Sequence, residues 1–213
     1  MKKIESWADI TIGQYQEIMM IETDNDLSRF IESMAICLDI DPQDIRNLPY
    51  SEYKSLQQRF SFIGAEPQGE ILDRFEIDGK KFGLMKDMNL MTAGMFIDAE
   101  EFKKDPITNL HNTIAIIYRP IIEESDNDFK IEPHKAEGFE RRANLFKDKL
   151  SITTVMGAVL FFSILGMELS ISSLESFQKE YQKEVSKTKT KTTRTRTKKA
   201  NKTPSTKTGA STT

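Results

Sequence analysis

The last 28 residues, Ser186 to Thr213, contain no aromatic and no large aliphatic side chain. Such a segment buries too little apolar surface to offset a backbone ordering cost of roughly 1–2 kcal/mol per residue. Folding must therefore come from residues 1–185, and 186–213 is expected to be a disordered basic tail rich in Lys and Thr. Charge divides the chain at the same place. The tail carries nine cations (Lys187, Lys189, Lys191, Arg194, Arg196, Lys198, Lys199, Lys202 and Lys207) and no Asp or Glu, against 21 basic and 33 acidic residues before it. The total of −3 thus conceals an anionic body joined to a cationic arm.

A body of 185 residues can build a core without covalent staples. The one cysteine, Cys37, lies on the apolar face of Phe30, Ile31, Met34 and Leu38, so no internal disulfide can form, and a buried inert thiol in a reducing interior is expected. Met1 to Asp9 hold two lysines with no apolar stretch behind them, which argues against a secretory signal. The most apolar segment, Ile152 to Met167, has sixteen residues. As a helix it spans about 24 Å against a hydrocarbon core of about 30 Å, so a buried central helix is expected and no membrane contact.

Local patterns predict a mainly α (α+β) fold, a helical domain with one small β-hairpin. Thr11 and Gln14 have capping-box spacing ahead of a helix over about 12–22, with Trp7 and Ile10 folding back on it. Asp24, Asn25 or Asp26 caps a second helix from Leu27 to about Asp39, with Leu27, Phe30, Ile31, Met34 and Leu38 inward. Asp41-Pro42 starts a short helical turn. A further helix opens at Leu48-Pro49-Tyr50-Ser51, carries Tyr53, Leu56, Phe60 and Ile63, and ends at Gly64. Alternation from Ile71 to Leu84 around Asp78-Gly79 or Gly79-Lys80 predicts the hairpin, with Phe129 to Ile131 a candidate third strand. Met95, Phe96, Ala99 and Phe102 share a helix face. Asp105-Pro106 opens a helix through Leu110, Ile114, Ile117 and Tyr118 to Arg119, stopped by Pro120. Glu123 to Asp128 reads as an exposed loop. Ala136 to Lys149 reads as a charged amphipathic helix with Phe139, Ala143 and Phe146 inward, and a last helix starts near Ile152.

Catalytic patterns are absent from the sequence. His111, His134 and Cys37 have no metal-ligand spacing, and both histidines read as structural. Glu100-Glu101 and Glu123-Glu124 look solvated, while Asp24, Asp26, Asp126 and Asp128 do not form a calcium loop. No phosphate-cradling glycine motif occurs. No catalytic, cofactor-binding or metal residues are therefore assigned, and the protein is expected not to be an enzyme. The nine cations of the tail could displace counterions from DNA, but they lack the aromatic side chains that stack on bases. A passive tether or docking peptide accounts for the same composition. Met19, Met20, Met88, Met91 and Met95 suit an adaptable binding surface, although their helical spacing favours a core role.

Two stretches, MTAGMFID at Met91 to Asp98 and NLHNTIAIIYRP at Asn109 to Pro120, precede a helix containing Phe161 and Phe162. Together they resemble a group of small proteins encoded among the structural genes of tailed bacteriophages, over about residues 7 to 180. That resemblance implies a virion structural protein or assembly factor. The preferred version is a tail assembly chaperone that shields apolar helical segments of a tail protein, the tape measure, by protein-protein interaction in which helices dock in grooves. One alternative is a permanent component of the virion neck or portal ring whose basic tail contacts DNA, and another is a DNA-binding regulator. The implied partners are other phage structural proteins of the tail or portal region, with a homo-oligomer and DNA contact through the tail as further expectations. The implied location is the host cytoplasm during assembly, or the virion. Arg119 is given no functional role here, since an ion pair with Asp98 locking two helices would explain it.

Overall fold

Strong local signals fix the first half of the chain. The computed structural model describes residues 3–87, 90–125, 128–135 and 137–159. The tail and its nine cations lie outside them, as does the second half of the apolar run from Ile152 to Met167. Trp7 sits in a 3-10 turn, Trp7–Asp9, and donates its indole N–H to the Ala65 carbonyl at 2.7 Å. Its ring packs edge-on against Tyr15 and Phe62. Helix α1 (Ile12–Met19) opens with the Thr11/Gln14 capping box and stops at Met20, short of residue 22. Helix α2 (Asp26–Leu38) is capped by Asn25 and ends at Asp39 in the left-handed conformation, φ 56°. Ile31, Met34, Ala35, Cys37 and Leu38 are buried, but Leu27 points to solvent from the first turn. Helix α3 (Pro42–Arg46) has Asp41 as cap and Pro42 at its start. Helix α4 (Tyr50–Arg59) ends before a 3-10 turn, Ser61–Gly64.

The hairpin forms as its sequence requires. Strands β1 (Arg74–Ile77) and β2 (Lys80–Leu84) pair antiparallel. The two residues between them, Asp78 at φ 48° and Gly79 at φ 75°, take the left-handed angles that match the twist of the flanking strands. A lone hairpin is marginal in water, and here it is half of a four-stranded sheet ordered β1-β2-β3-β4. Strand β4 (Phe129–Ile131) is the third strand expected, but it pairs with β3.

Strand β3 (Tyr118–Glu124) is a correction to the sequence reading. The helix expected from Asp105 to Arg119 is shorter, α6 (Leu110–Ile117), and it passes into β3 with no loop between them. Pro120 supplies the physical reason. A residue preceding proline is disfavoured in helical angles and driven to extended ones, so Arg119 leaves the helix and Tyr118 goes with it. Pro120 accepts a hydrogen bond from Glu132 N–H at 2.8 Å, on the β4 side. Its missing N–H falls on that same side, and the β2–β3 ladder is unharmed. Glu123 and Glu124 accordingly belong to a strand instead of a loop.

Alternation along the strands gives the sheet two faces. On the inner face Phe75, Phe82, Leu84 and Tyr118 meet helix α7 (Phe139–Lys149), whose Phe146 lies 4.9 Å from the Phe82 ring centroid and 5.6 Å from that of Phe75. Phe75 also contacts Tyr118 at 4.8 Å. The Tyr118 hydroxyl donates to the Leu72 carbonyl at 2.6 Å, and burial, with Asp73 nearby, pushes its pKa up to about 12. Helices α1 and α6 pack on α7, and the N-terminal segment clasps its far end. There Ile12 N–H bonds to Leu150 and Ile152 N–H to Ile10. A last helical stretch occupies 152–159, with Ile152, Val155 and Ala158 buried. The outer face carries Arg74, Gly83, Met85, Arg119 and Ile131. Met85 and Ile116 pack there with Met95 of helix α5 (Ala93–Phe102).

Phe146→Ala should cost about 3–5 kcal/mol in urea unfolding, because it empties the contact between sheet and helices. Gly83 tests the outer face. A Cβ there would lie 2.3 Å from the Phe129 ring, whereas one at Gly64 would meet nothing within 4 Å. Gly83→Ala is expected to lose about 1–3 kcal/mol by overpacking and Gly64→Ala no more than about 0.5 kcal/mol; equal losses at the two sites would contradict the packing described.

Candidate functional site: a groove over a buried arginine pair

Arg119 leaves helix α6 in extended form and so points out of the outer face, into apolar surroundings that cover all but 4% of it. Arg142 approaches from α7, one turn from Phe139 and one from Phe146, and is 9% exposed. Its Nε donates to the Ala115 carbonyl at 3.2 Å, and its guanidinium stands 5.6 Å over the Phe139 ring. Arg119 Nε and Arg142 Nη2 have no hydrogen-bond partner. One half-buried carboxylate, Glu132, attracts both guanidiniums, which repel each other. Burial pushes both below the ordinary arginine value, and Glu132 opposes that shift. Arginine stays protonated through such shifts, so two buried cations share one anion.

His134 completes the cluster. Its side chain is 10% exposed, edge-on to Phe139, with Nε2 3.5 Å from an Asp98 oxygen. Asp98 therefore faces His134 instead of forming the expected pair with Arg119. Burial first, and then the nearby Arg142 and Arg119, pull the His134 pKa below 6.5, against the hydrogen bond that it donates to Asp98 and the charge of that carboxylate. The imidazole is neutral near pH 7. With Nε2–H turned to Asp98, Nδ1 is left as a buried lone pair without a partner.

Above this cluster runs an open groove of about 920 Å³. Met85, Leu90, Phe129 and Ile131 line it together with Arg119 and His134. The other charged side chains on the walls are held by neighbours. Lys86 pairs with Asp73 at 2.7 Å, Lys130 with Glu123 at 3.1 Å, and Glu124 with Arg74 at 2.6 Å and with Lys81. Asp128 accepts from Phe129 N–H at 2.8 Å. The Lys81 and Arg74 hydrogen bonds hold the Glu124 carboxyl below the usual carboxylate range.

The sequence expectations divide against this geometry. His111 takes the structural role. Its Nδ1 lies 3.1 Å from Nε2 of Gln16, a buried amide that also donates to the Ile107 and Thr108 carbonyls. Burial, then Lys147, lowers its pKa, with Asp148 opposing. Glu100 and Glu101 pair with Lys103 and Lys104 on the surface of α5, as solvated acids do. Cys37 is buried and free of any disulfide. Met95 is in the core, whereas Met19 and Met20 are about half exposed. Among the described residues no group of His, Cys, Asp and Glu is placed to hold a metal ion, and no helix is long and apolar enough to cross a membrane. Arg142 and Glu132 escaped the sequence reading. For Arg142 a signal existed, since it is three residues after Phe139 and four before Phe146, on the inward face of α7.

Comparison of the chain with protein-family models, with curated proteins and with solved structures found no match.

The two histidines set an acid limit on stability. Both titrate below 6.5 when folded, so beneath that pH the unfolded chain binds protons that the folded chain does not. Stability is present above pH 6.5 and falls as pH drops toward the folded pKa values. Urea unfolding at about pH 7.5 and about pH 5.5 should show lower stability at the acid end, and the loss should shrink in His134→Gln. A pH-independent result would contradict the burial described.

Proposed function

We propose that this protein is a non-catalytic assembly factor that docks onto other proteins through apolar surface. In the phage setting that its sequence resemblance implies, it is a tail assembly chaperone. The observation that carries this reading is the outward side of α5. Met95, Ala99 and Phe102 face the sheet, while Phe96 and Ile97 are 46% and 65% exposed. Two large apolar side chains, adjacent in sequence and exposed away from the core of their own helix, make a patch suited to a protein partner. Methionines 19 and 20 add adaptable surface elsewhere. An apolar helical segment of a tail protein, held until tail subunits replace it, fits such a surface.

The test is co-expression of the full chain with a tape-measure protein of a tailed bacteriophage. The wild-type chain is expected to keep that protein soluble and to co-purify with it. Phe96→Asp combined with Ile97→Asp should abolish co-purification while leaving thermal stability within about 0.5 kcal/mol, since neither side chain is buried. Mass spectrometry of purified particles should find the chain absent; a fixed copy number in virions would overturn the chaperone reading.

A further inference from the structure

The hairpin leaves one side of β1 open. Leu84 N–H donates to the Asp73 carbonyl at 2.8 Å, so Asp73, Phe75 and Ile77 turn their backbone groups to β2, and Arg74 and Glu76 turn theirs away from it. β1 is an outermost strand, and among the described residues no strand pairs with that side. We propose that this edge pairs antiparallel with β1 of a second copy of the chain, about a twofold axis at Phe75, joining the two four-stranded sheets into one. Sheet edges are commonly blunted by bulges or proline. The opposite edge, β4, follows that rule, with three residues and a register shift against β3. β1 has no proline, pairs with β2 in continuous register, and exposes Arg74 and Glu76.

Charge selects both the occupant and the register. Backbone pairing allows a twofold axis at Arg74, at Phe75 or at Glu76. An axis at Arg74 sets arginine against arginine, and one at Glu76 sets glutamate against glutamate, like charges directly opposite. The axis at Phe75 sets each Arg74 opposite Glu76 of the second copy, so the order Arg-Phe-Glu is complementary to itself when reversed. The surrounding charges do not oppose this. Glu124 holds Arg74 and Lys81, Lys81 stands opposite Glu76 across the hairpin, and Lys86 pairs with Asp73, which balances the two signs along the edge within each copy. The same register carries the second copy's turn, with its Lys80, toward Glu70 and toward Ile71 and Leu72, which are 46% and 36% exposed. On the inner face half-buried Phe75 ends the aromatic row that runs through Phe82, and at the axis it meets Phe75 of the second copy as a close cross-strand pair. An edge this short buries less than the roughly 1,600 Å² of a stable interface, so the pairing is weak, with a Kd on the order of 10–100 μM. This inference does not depend on the tail-assembly reading, because it concerns a different surface and a different partner.

The experiment is sedimentation equilibrium of the full chain from about 5 to about 300 μM, at about 0.15 M salt so that repulsion between two anionic bodies is screened. The wild-type chain is expected to pass from monomer to dimer over that range. Amide hydrogen exchange at Arg74 and Glu76 should slow as concentration rises, while exchange at Phe75, already bonded to β2, stays the same. Glu76→Arg puts two cations on the edge and Arg74→Glu puts two anions there. Both variants should remain folded, since the side chains are exposed and surface ion pairs contribute little. Each alone should dimerise at least about tenfold more weakly than the wild type. Mixed in equal amounts, the two variants should pair with each other within about threefold of the wild-type affinity, because every cation then faces an anion. The α5 variant with Phe96→Asp and Ile97→Asp should dimerise unchanged. A chain still monomeric at the highest concentration, a dimer that both edge substitutions leave intact, or a mixture that pairs no better than its separate components would each contradict edge pairing between copies. Protection of Glu76 that appears only when a tape-measure protein is added to a monomeric chain would replace the second copy by an extended segment of that partner.

Discussion

Phe146 reaches from α7 into the inner face of the sheet, and its contacts with Phe82 and Phe75 join segments that lie more than sixty residues apart in sequence. A hairpin alone would not persist in water, and a helix as charged as α7 has little reason to be ordered alone. Each becomes stable by covering the other. Tyr118 extends the same aromatic cluster into β3 and ties it to the loop before β1 through its hydroxyl. Helices α1 and α6 then have a surface to pack against, and the backbone pairing near Thr11 and Ser151 brings the N-terminal segment across the end of α7.

Once the inner face is committed to this core, the outer face has to be dealt with separately. The period of two that aims Phe82 and Tyr118 inward also aims Gly83 and Arg119 outward. Gly83 leaves room for Phe129 to cross the sheet, which brings β4 over and forms one wall of the groove. Arg119 is less easily accommodated. It is held among Met85, His134 and Arg142 with a single shared carboxylate, an arrangement that folding energetics alone would not select, because apolar side chains of similar size would pack there at no electrostatic cost.

Much of the first half of the fold was legible because its signals are local. Thr11 with Gln14, Asn25, Asp41-Pro42 and Asp78-Gly79 each determine backbone geometry within a few residues, and each appears where those residues place it. The second half depends on pairing between distant segments. The run from Ile114 to Tyr118 continues a helical period without a break, and only the backbone restriction imposed by Pro120 marks the change to a strand. The candidate site was least visible of all. Arg119 was read as a helix-locking ion pair and His134 as a loop residue, since nothing in their neighbours reveals that β4 and α5 close over them. Arg142 could have been found from its spacing, but a cation at an inward position is easily read as part of a charged face.

Native-state hydrogen exchange tests the central claim, that the aromatic cluster makes the sheet and α7 one cooperative unit. Amides of β2, β3 and α7, including Phe82, Leu84 and Phe146, should share the highest protection and open together at the free energy of global unfolding. If the strand amides exchanged through a separate opening of much lower free energy while α7 stayed protected, sheet and helix would not depend on each other, and the account would be contradicted.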